Sequence, residues 1–287
     1  QGVVEKFRSF ANTLLVAVDG TGYFYSESIH CDNCSVAHHR DGRVSYSHTA
    51  LMPAVVGPET PQVIPLEPEF ITPQDGHKKQ DCEAEAAKRW IRSAGSRLSS
   101  LGVTLLGDAL YATQSMIKVV VEKKLSYLFV AKPKHHKHLY EELESFEKLG
   151  EVHRLERTQW TGKKHRHLLY RYINHVPLVD AQHPIEVNWV GFSIANDKGK
   201  ITYQTAFITN HFIDEHNVQE LVKAARCRWK IENEDINTLK TKGYHLEHNF
   251  GHGSKYLSQT LLSLNILAFL FHTVLEFLDK RCALLCA

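Results

Sequence analysis

Leu14-Leu15-Val16-Ala17-Val18-Asp19 is a short apolar run that ends in an acid. Val103-Thr104-Leu105-Leu106-Gly107-Asp108 is a second one. Runs of this length and composition read as buried strands. An acid at the end of such a strand is costly unless it is paired or binds a cation. If the two strands lie side by side, Asp19 and Asp108 meet at one edge of a sheet. The alternative is that each aspartate opens a turn, as Asp19-Gly20-Thr21-Gly22 would do well.

Working outward, 45–56 and 62–71 predict two more strands, with Pro58 and Pro61 marking the turn between them. Ala84, Ala87, Trp90, Ile91 and Leu98 recur at helical spacing and predict a helix over 81–101. A short helix over 113–124 then leads to a strand over 127–131, stopped by Pro133. The order is three strands, helix, strand, helix, strand. From 134 to 214 the pattern changes. One charged helix, 138–149, precedes alternating strands around 166–172, 186–194 and 202–209, which predicts a β-rich insertion. Helical periodicity returns over 218–239 and 255–278. The predicted organisation is therefore a core in two parts, 1–133 and 215–287, split by an insertion at 134–214.

The composition of the 287 residues is that of a globular domain, 43% hydrophobic and 23% charged, which excludes disorder and collagen-like repeats. With 34 Lys and Arg against 32 Asp and Glu, the net charge is +2, so any nucleic-acid-binding surface has to be local. Six cysteines are too few for a disulfide scaffold and suit a reducing compartment. The 19 histidines point to a metal site or a polyanion-binding surface without choosing between them. The stretch 256–275 carries no formal charge, but Ser258, Gln259, Thr260, Ser263, Asn265 and His272 interrupt it. Each would be costly in hydrocarbon, so it reads as a buried core helix and no membrane contact is expected. The opening Gln1-Gly2-Val3 has neither an initiator Met nor a basic-then-apolar leader, which suggests a fragment whose N-terminal part is missing.

Arg226-Cys227-Arg228-Trp229-Lys230-Ile231-Glu232 falls on the predicted helix 218–239. Arg228 and Glu232 are four apart and share a face. Lys240 lies about 80° further round the axis. An acid flanked by cations suits a carboxylate that holds a metal beside anionic phosphates; a solvated salt bridge is the simpler reading.

Together these motifs resemble the DDE transposases with a ribonuclease-H-like core, and more narrowly the bacterial insertion-sequence-four group. The resembling stretches are Val16-Ala17-Val18-Asp19-Gly20-Thr21, Leu106-Gly107-Asp108-Ala109-Leu110-Tyr111, and Arg228-Trp229-Lys230-Ile231-Glu232-Asn233 running on to Leu239-Lys240. The resemblance implies a ribonuclease-H-like α/β core, a mixed sheet with flanking helices, interrupted by a β-rich insertion. It implies Asp19, Asp108 and Glu232 as catalytic metal ligands, Mg²⁺ (or Mn²⁺) as cofactor, and Arg228 and Lys240 on DNA phosphate. The activity implied is cutting and joining mobile-element ends and target DNA, in the bacterial cytoplasm at the nucleoid, with a homodimer on DNA as an open expectation. The sequence departs from the group's Tyr-Arg-Glu-Lys signature twice. Ala225 stands where the tyrosine is expected, and Leu239 where the lysine is expected, with Lys240 one residue late. Either the helix loosens there, or Glu234 and Asp235 compete with Glu232. An inactive DNA-binding remnant and a metal nuclease without strand transfer are the alternatives.

Two further groups stand out. Cys31 and Cys34, with His38 and with Cys82 further on, resemble part of a structural zinc site; two buried thiols near a turn are the alternative. Lys163, Lys164 and Arg166, beside Gly162, suggest the tip of a hairpin that tracks DNA phosphates. Trp189 reads as core, and Trp160 as either core or a base-stacking side chain.

Overall fold

The computed structural model describes residues 2–73, 81–247 and 252–279. The chain is a mixed α/β protein. In order it forms helix α1 (Gly2–Glu5), strands β1 (Leu14–Ser26), β2 (Ser35–His38), β3 (Val44–Val56), β4 (Ile64–Pro65) and β5 (Glu69–Ile71), helix α2 (Glu83–Leu101), and strand β6 (Val103–Gly107). Helix α3 (Gln114–Glu122), strand β7 (Ser126–Val130) and helix α4 (Lys137–Leu149) follow. Next come strands β8 (His153–Trp160), β9 (His165–Pro177), β10 (Glu186–Asn196) and β11 (Ile201–Thr209). The remaining helices are α5 (Val218–Arg226), a π-helical segment Ile231–Ile236, α6 (Asn237–Thr241) and α7 (Leu257–Leu278). They group into two compact units, one of Gln1–Ser9, Leu14–Ser96 and Arg228–Ala287, the other of Phe10–Thr13 and Arg97–Cys227.

In the first unit, β1 and β3 pair antiparallel over their whole length, with Asp19 opposite Met52. The other edge of β3 takes β2, then β5, then β4. Leu14–Val18 is buried without alternation, as expected of a strand covered on both faces. The strand does not end at Asp19, nor does Asp19-Gly20-Thr21-Gly22 turn. Gly20 pairs with Leu51 and Thr21 with Ala50, and β1 runs on to a bulge beyond Gly22. The stretch 62–71 divides into β4 and β5 because proline recurs through it and removes ladder donors.

In the second unit the strand order is β6-β7-β11-β10-β9-β8. β6 and β7 are parallel and are joined through α3; the remaining pairings are antiparallel. The strands of 134–214 therefore continue the β6–β7 sheet, through Phe207 opposite Val130, and do not form a sheet of their own. β8 carries no apolar alternation because nearly every residue in it is exposed at the edge of that sheet.

The predicted helix 218–239 is interrupted. α5 stops at Arg226, and the chain then enters π geometry, in which the Asn237 N–H reaches back five residues to the Glu232 carbonyl. Lys230 precedes this turn. It is 7% exposed, and its Nζ donates to the Gly57 and Thr60 carbonyls, both at 2.6 Å, tying the acid-bearing helix to the loop after β3. α7 departs from a buried core helix. It buries Leu262, Ile266 and Phe269 but exposes Leu264, Leu267 and Phe271. By length and composition it is, among the described residues, the one helix apolar enough to cross a membrane. Two of its polar residues serve the preceding segment, Asn265 donating to the Tyr244 carbonyl and His272 bonding the Tyr244 hydroxyl at 2.6 Å. No disulfide involves Cys31, Cys34, Cys82 or Cys227, and Cys282 and Cys286 lie outside the described residues.

Replacing Lys230 with Met keeps the volume but strands two buried carbonyls. The expected loss is about 2–3 kcal/mol of stability, read as a lowered midpoint in urea unfolding. An unchanged midpoint would show that Lys230 does not anchor the helix.

Candidate functional site

Asp19 sits mid-strand with its carboxyl 21% exposed. Its neighbours are charged. Glu83, in the first turn of α2, lies so close to the strand that its carboxylate occupies the space where a Cβ at residue 20 would stand. α2 is fixed in that position by Arg89. Its guanidinium donates to both oxygens of Asp81, at 2.7 and 3.0 Å, to Glu69 at 2.9 Å, and to the Phe70 carbonyl at 3.1 Å. From the π-helical side, Arg228 Nη1 donates to Glu232 Oε1 at 2.7 Å and stands 3.9 Å from Asp19 Oδ2.

Burial raises the Asp19 pKa, the charge of Glu83 raises it further, Arg228 opposes both, and Glu232 adds to the rise; the carboxyl is pushed up to about 6. Asp19 thus has two acidic neighbours and one cationic one acting on it at a partly buried point. That arrangement is relieved by protonation or by a cation.

The structure brings Asp19, Arg228 and Glu232 together and adds Glu83. Of the three acids in the π-helical segment, Glu232 is the one whose charge reaches Asp19. Asp235 is fully buried, neither of its oxygens has a hydrogen-bond partner among the described residues, and burial pushes its pKa up to about 7. Leu239, at the signature lysine position, is fully buried, whereas Lys240 is partly exposed and pairs with Glu247 at 2.7 Å. The π-helical geometry over Ile231–Ile236 widens the turn after Glu232; such turns often occur at functional sites. Ala225, at the signature tyrosine position, is buried in α5.

Asp108 belongs to the second unit, just past the end of β6. Its Oδ1 accepts from the Leu110 N–H at 2.7 Å, the local bond of a turn-forming aspartate. Lys163 and Lys164 occupy the turn between β8 and β9, closed by the Thr161 N–H to the Lys164 carbonyl, and Arg166 opens β9; all three are exposed. Gly162 supplies the left-handed residue of that turn, at φ 84°. Trp160, 58% exposed, leans on His165 with ring centroids 4.8 Å apart, while Trp189 is 3% exposed.

The expected zinc set is corrected in two of its four members. Cys31 and Cys34 are joined by His48, from β3, and by His252; these four could hold a metal ion such as zinc, with all ligand atoms within 4.8 Å of one another. His38 is exposed near the end of β2, and Cys82 is exposed just before α2. Burial, and then the neighbouring His252, lowers the His48 pKa to about 4, so its imidazole is neutral near pH 7. Burial pushes the Cys34 thiol up to about 11.

Sequence spacing gives no access to His252, which is 204 residues beyond His48. His48 leaves a faint trace as a polar residue inside a strand. Glu83 leaves none, since an acid in the first turn of a helix is ordinary. No protein-family model matches the chain, and no curated protein matches it.

The pH dependence of the carboxylate cluster has a definite sign. A folded-state pKa of about 6 against 3.8 in the unfolded chain means that the folded protein holds this proton more tightly. The contribution is full below pH 3.8 and is lost as the pH rises through about 6. Asp19→Asn is therefore expected to be more stable than the wild type at pH 7.5 without divalent ions, by about 1–2 kcal/mol, with the difference shrinking towards pH 4. Denaturant titrations at the two pH values measure this. A variant less stable at pH 7.5 would contradict the crowding.

Proposed function

We propose that the chain is a DNA transposase of the DDE kind, resembling the bacterial insertion-sequence-four group, that cuts and joins element ends by Mg²⁺-dependent phosphoryl transfer. The observation that carries the reading is the placement of Asp19 beside Glu83 and Glu232, with Arg228 bonded to Glu232 and 3.9 Å from Asp19. An all-oxygen set of carboxylates fits Mg²⁺ or Mn²⁺, which take hard oxygen ligands. The ribonuclease-H-like assignment is supported by the antiparallel β1–β3 pair with its short outer strands, followed by α2 and the parallel β6–β7 pair.

In this reading Asp19 and Glu232 hold the metal, and Asp108 supplies the second aspartate. An Mg²⁺ held there would supply activation of water and stabilisation of the leaving 3′-oxygen. Arg228 offsets part of the charge of Glu232 and Asp19 in the free protein, and its guanidinium is suited to bidentate contact with a phosphate. The Lys163, Lys164 and Arg166 tip contacts DNA backbone without reading sequence. The site of action is the bacterial cytoplasm.

A second reading, a DNA-binding remnant without catalysis, is favoured by Ala225 at the tyrosine position and by the pairing of Lys240 with Glu247. Nicking of supercoiled plasmid carrying the element ends separates the two. Asp19→Asn, Asp108→Asn and Glu232→Gln are each expected to abolish nicking in Mg²⁺ and Mn²⁺ while leaving DNA binding in place. A wild-type protein that binds DNA but never nicks it would establish the remnant.

Replacing Lys163, Lys164 and Arg166 together with alanine is expected to weaken binding equally for element-end and unrelated duplex. The log–log salt slope should become shallower by up to roughly 0.9 per lost contact. An unchanged slope would remove the hairpin from the DNA surface.

A further inference from the structure

We propose that Cys31, Cys34, His48 and His252 bind one Zn²⁺ as a structural staple that fixes where the chain returns from the acid-bearing helix to α7. Four of the separations between ligand atoms are close to tetrahedral values, and all lie within 4.8 Å. Bond lengths of about 2.3 Å to sulfur and 2.0–2.1 Å to nitrogen place two sulfurs about 3.8 Å apart, sulfur and nitrogen about 3.6 Å apart, and two nitrogens about 3.3 Å apart. The Cys31 and Cys34 Sγ atoms are 4.0 Å apart. Cys31 Sγ and Cys34 Sγ stand 3.6 and 3.4 Å from His48 Nε2, and Cys34 Sγ stands 3.5 Å from His252 Nε2. Only the two Nε2 atoms, at 2.8 Å, are closer than this geometry asks, and an ion between them would separate them by about half an ångström.

The surroundings are those of a ligand set. The Cys34 N–H bonds the Cys31 carbonyl at 3.1 Å, and the Cys31 N–H points at Cys34 Sγ at 3.4 Å, so the Cys-x₂-Cys turn directs a backbone donor at a sulfur. His252 Nδ1 lies 2.8 Å from the Gly253 carbonyl, which fixes the tautomer with the Nε2 lone pair facing the sulfurs. Phe24 lies against both imidazoles, 5.5 Å from the His48 ring and 4.3 Å from that of His252, and Tyr23 stacks on His48. Cys34, His48 and His252 are 2%, 1% and 5% exposed, so solvent has little access. Four protein ligands, two of them sulfur, close the coordination sphere of Zn²⁺ and suit a structural role.

Three of the ligands come from the β1–β2 connection and from β3; the fourth comes from the segment between α6 and α7. The ion would join ends of the first unit that are 218 residues apart, from Cys34 to His252. Zinc binding at these residues is independent of what the carboxylates hold.

Metal analysis of protein purified under reducing conditions should find about one zinc per chain. After the zinc is stripped by a chelator, one equivalent of Co²⁺ should give the intense visible bands and the thiolate charge-transfer absorption of a tetrahedral S₂N₂ site. The metal-free protein should melt at a lower temperature, and zinc should restore the midpoint. Cys34→Ser and His252→Ala should lose the Co²⁺ spectrum at micromolar metal. His252→Cys should keep a tetrahedral spectrum, red-shifted by a third thiolate, which guards against variants that simply misfold. His38→Ala and Cys82→Ser should bind as the wild type does. Wild-type protein that carries no zinc and gives no tetrahedral Co²⁺ spectrum would overturn the proposal. So would loss of the spectrum in Cys82→Ser with retention in His252→Ala.

Discussion

Asp19 is ionisable, sits in the middle of a strand whose preceding five residues are buried, and has two further acids and one arginine acting on it. Much of the first unit is arranged around that difficulty. The Glu83 carboxylate lies directly over the strand at Gly20. Arg89 binds Asp81, Glu69 and the Phe70 carbonyl, and so fixes the start of α2, from which Glu83 projects. Lys230 holds the other helix against the loop after β3, two residues before Glu232. A protein that only had to fold would gain stability by replacing one of these acids. Keeping the charges of Glu83 and Glu232 within reach of Asp19 makes sense where a bound cation meets the carboxylates.

Much of this was legible in the sequence, and the legible part follows from periodicity. Leu14–Val18 and Val103–Gly107 are continuous apolar runs because strands covered on both faces need no alternation. Helix α2 shows its apolar spacing plainly. What was not legible depends on tertiary context. β8 lies at a sheet edge with nearly all its residues exposed, so its sequence records no face. The π-helical turn shows only as a lysine one residue late, a defect with two explanations until the backbone is seen. The exposed apolar face of α7 contradicts a reading based on hydropathy alone, which cannot separate a covered face from an open one.

The Cys/His cluster shows the same limit more sharply. Cys31 and Cys34 are close in sequence and were identifiable as a ligand pair. Their partners come from a strand and from a distant segment, and neither spacing nor composition selects His48 and His252 from 19 histidines. His38 and Cys82 were reasonable by proximity along the chain, but folding carries both to the surface. The two candidate metal centres differ in chemistry as well as in place. The Asp19 cluster is oxygen-only and partly open to solvent, as an exchangeable hard cation requires. The cysteine cluster is soft and closed, as a permanent ion requires.

The central claim is that the acids around Asp19 form a divalent-cation site. A crystal structure of the protein grown with Mn²⁺, with anomalous data collected near the manganese edge, tests it directly. The expected result is a peak about 2.0–2.2 Å from carboxylate oxygens of Asp19 and Glu232, with Arg228 displaced from Glu232. A map with no anomalous peak at these oxygens, and Arg228 still bonded to Glu232 at saturating Mn²⁺, would contradict it.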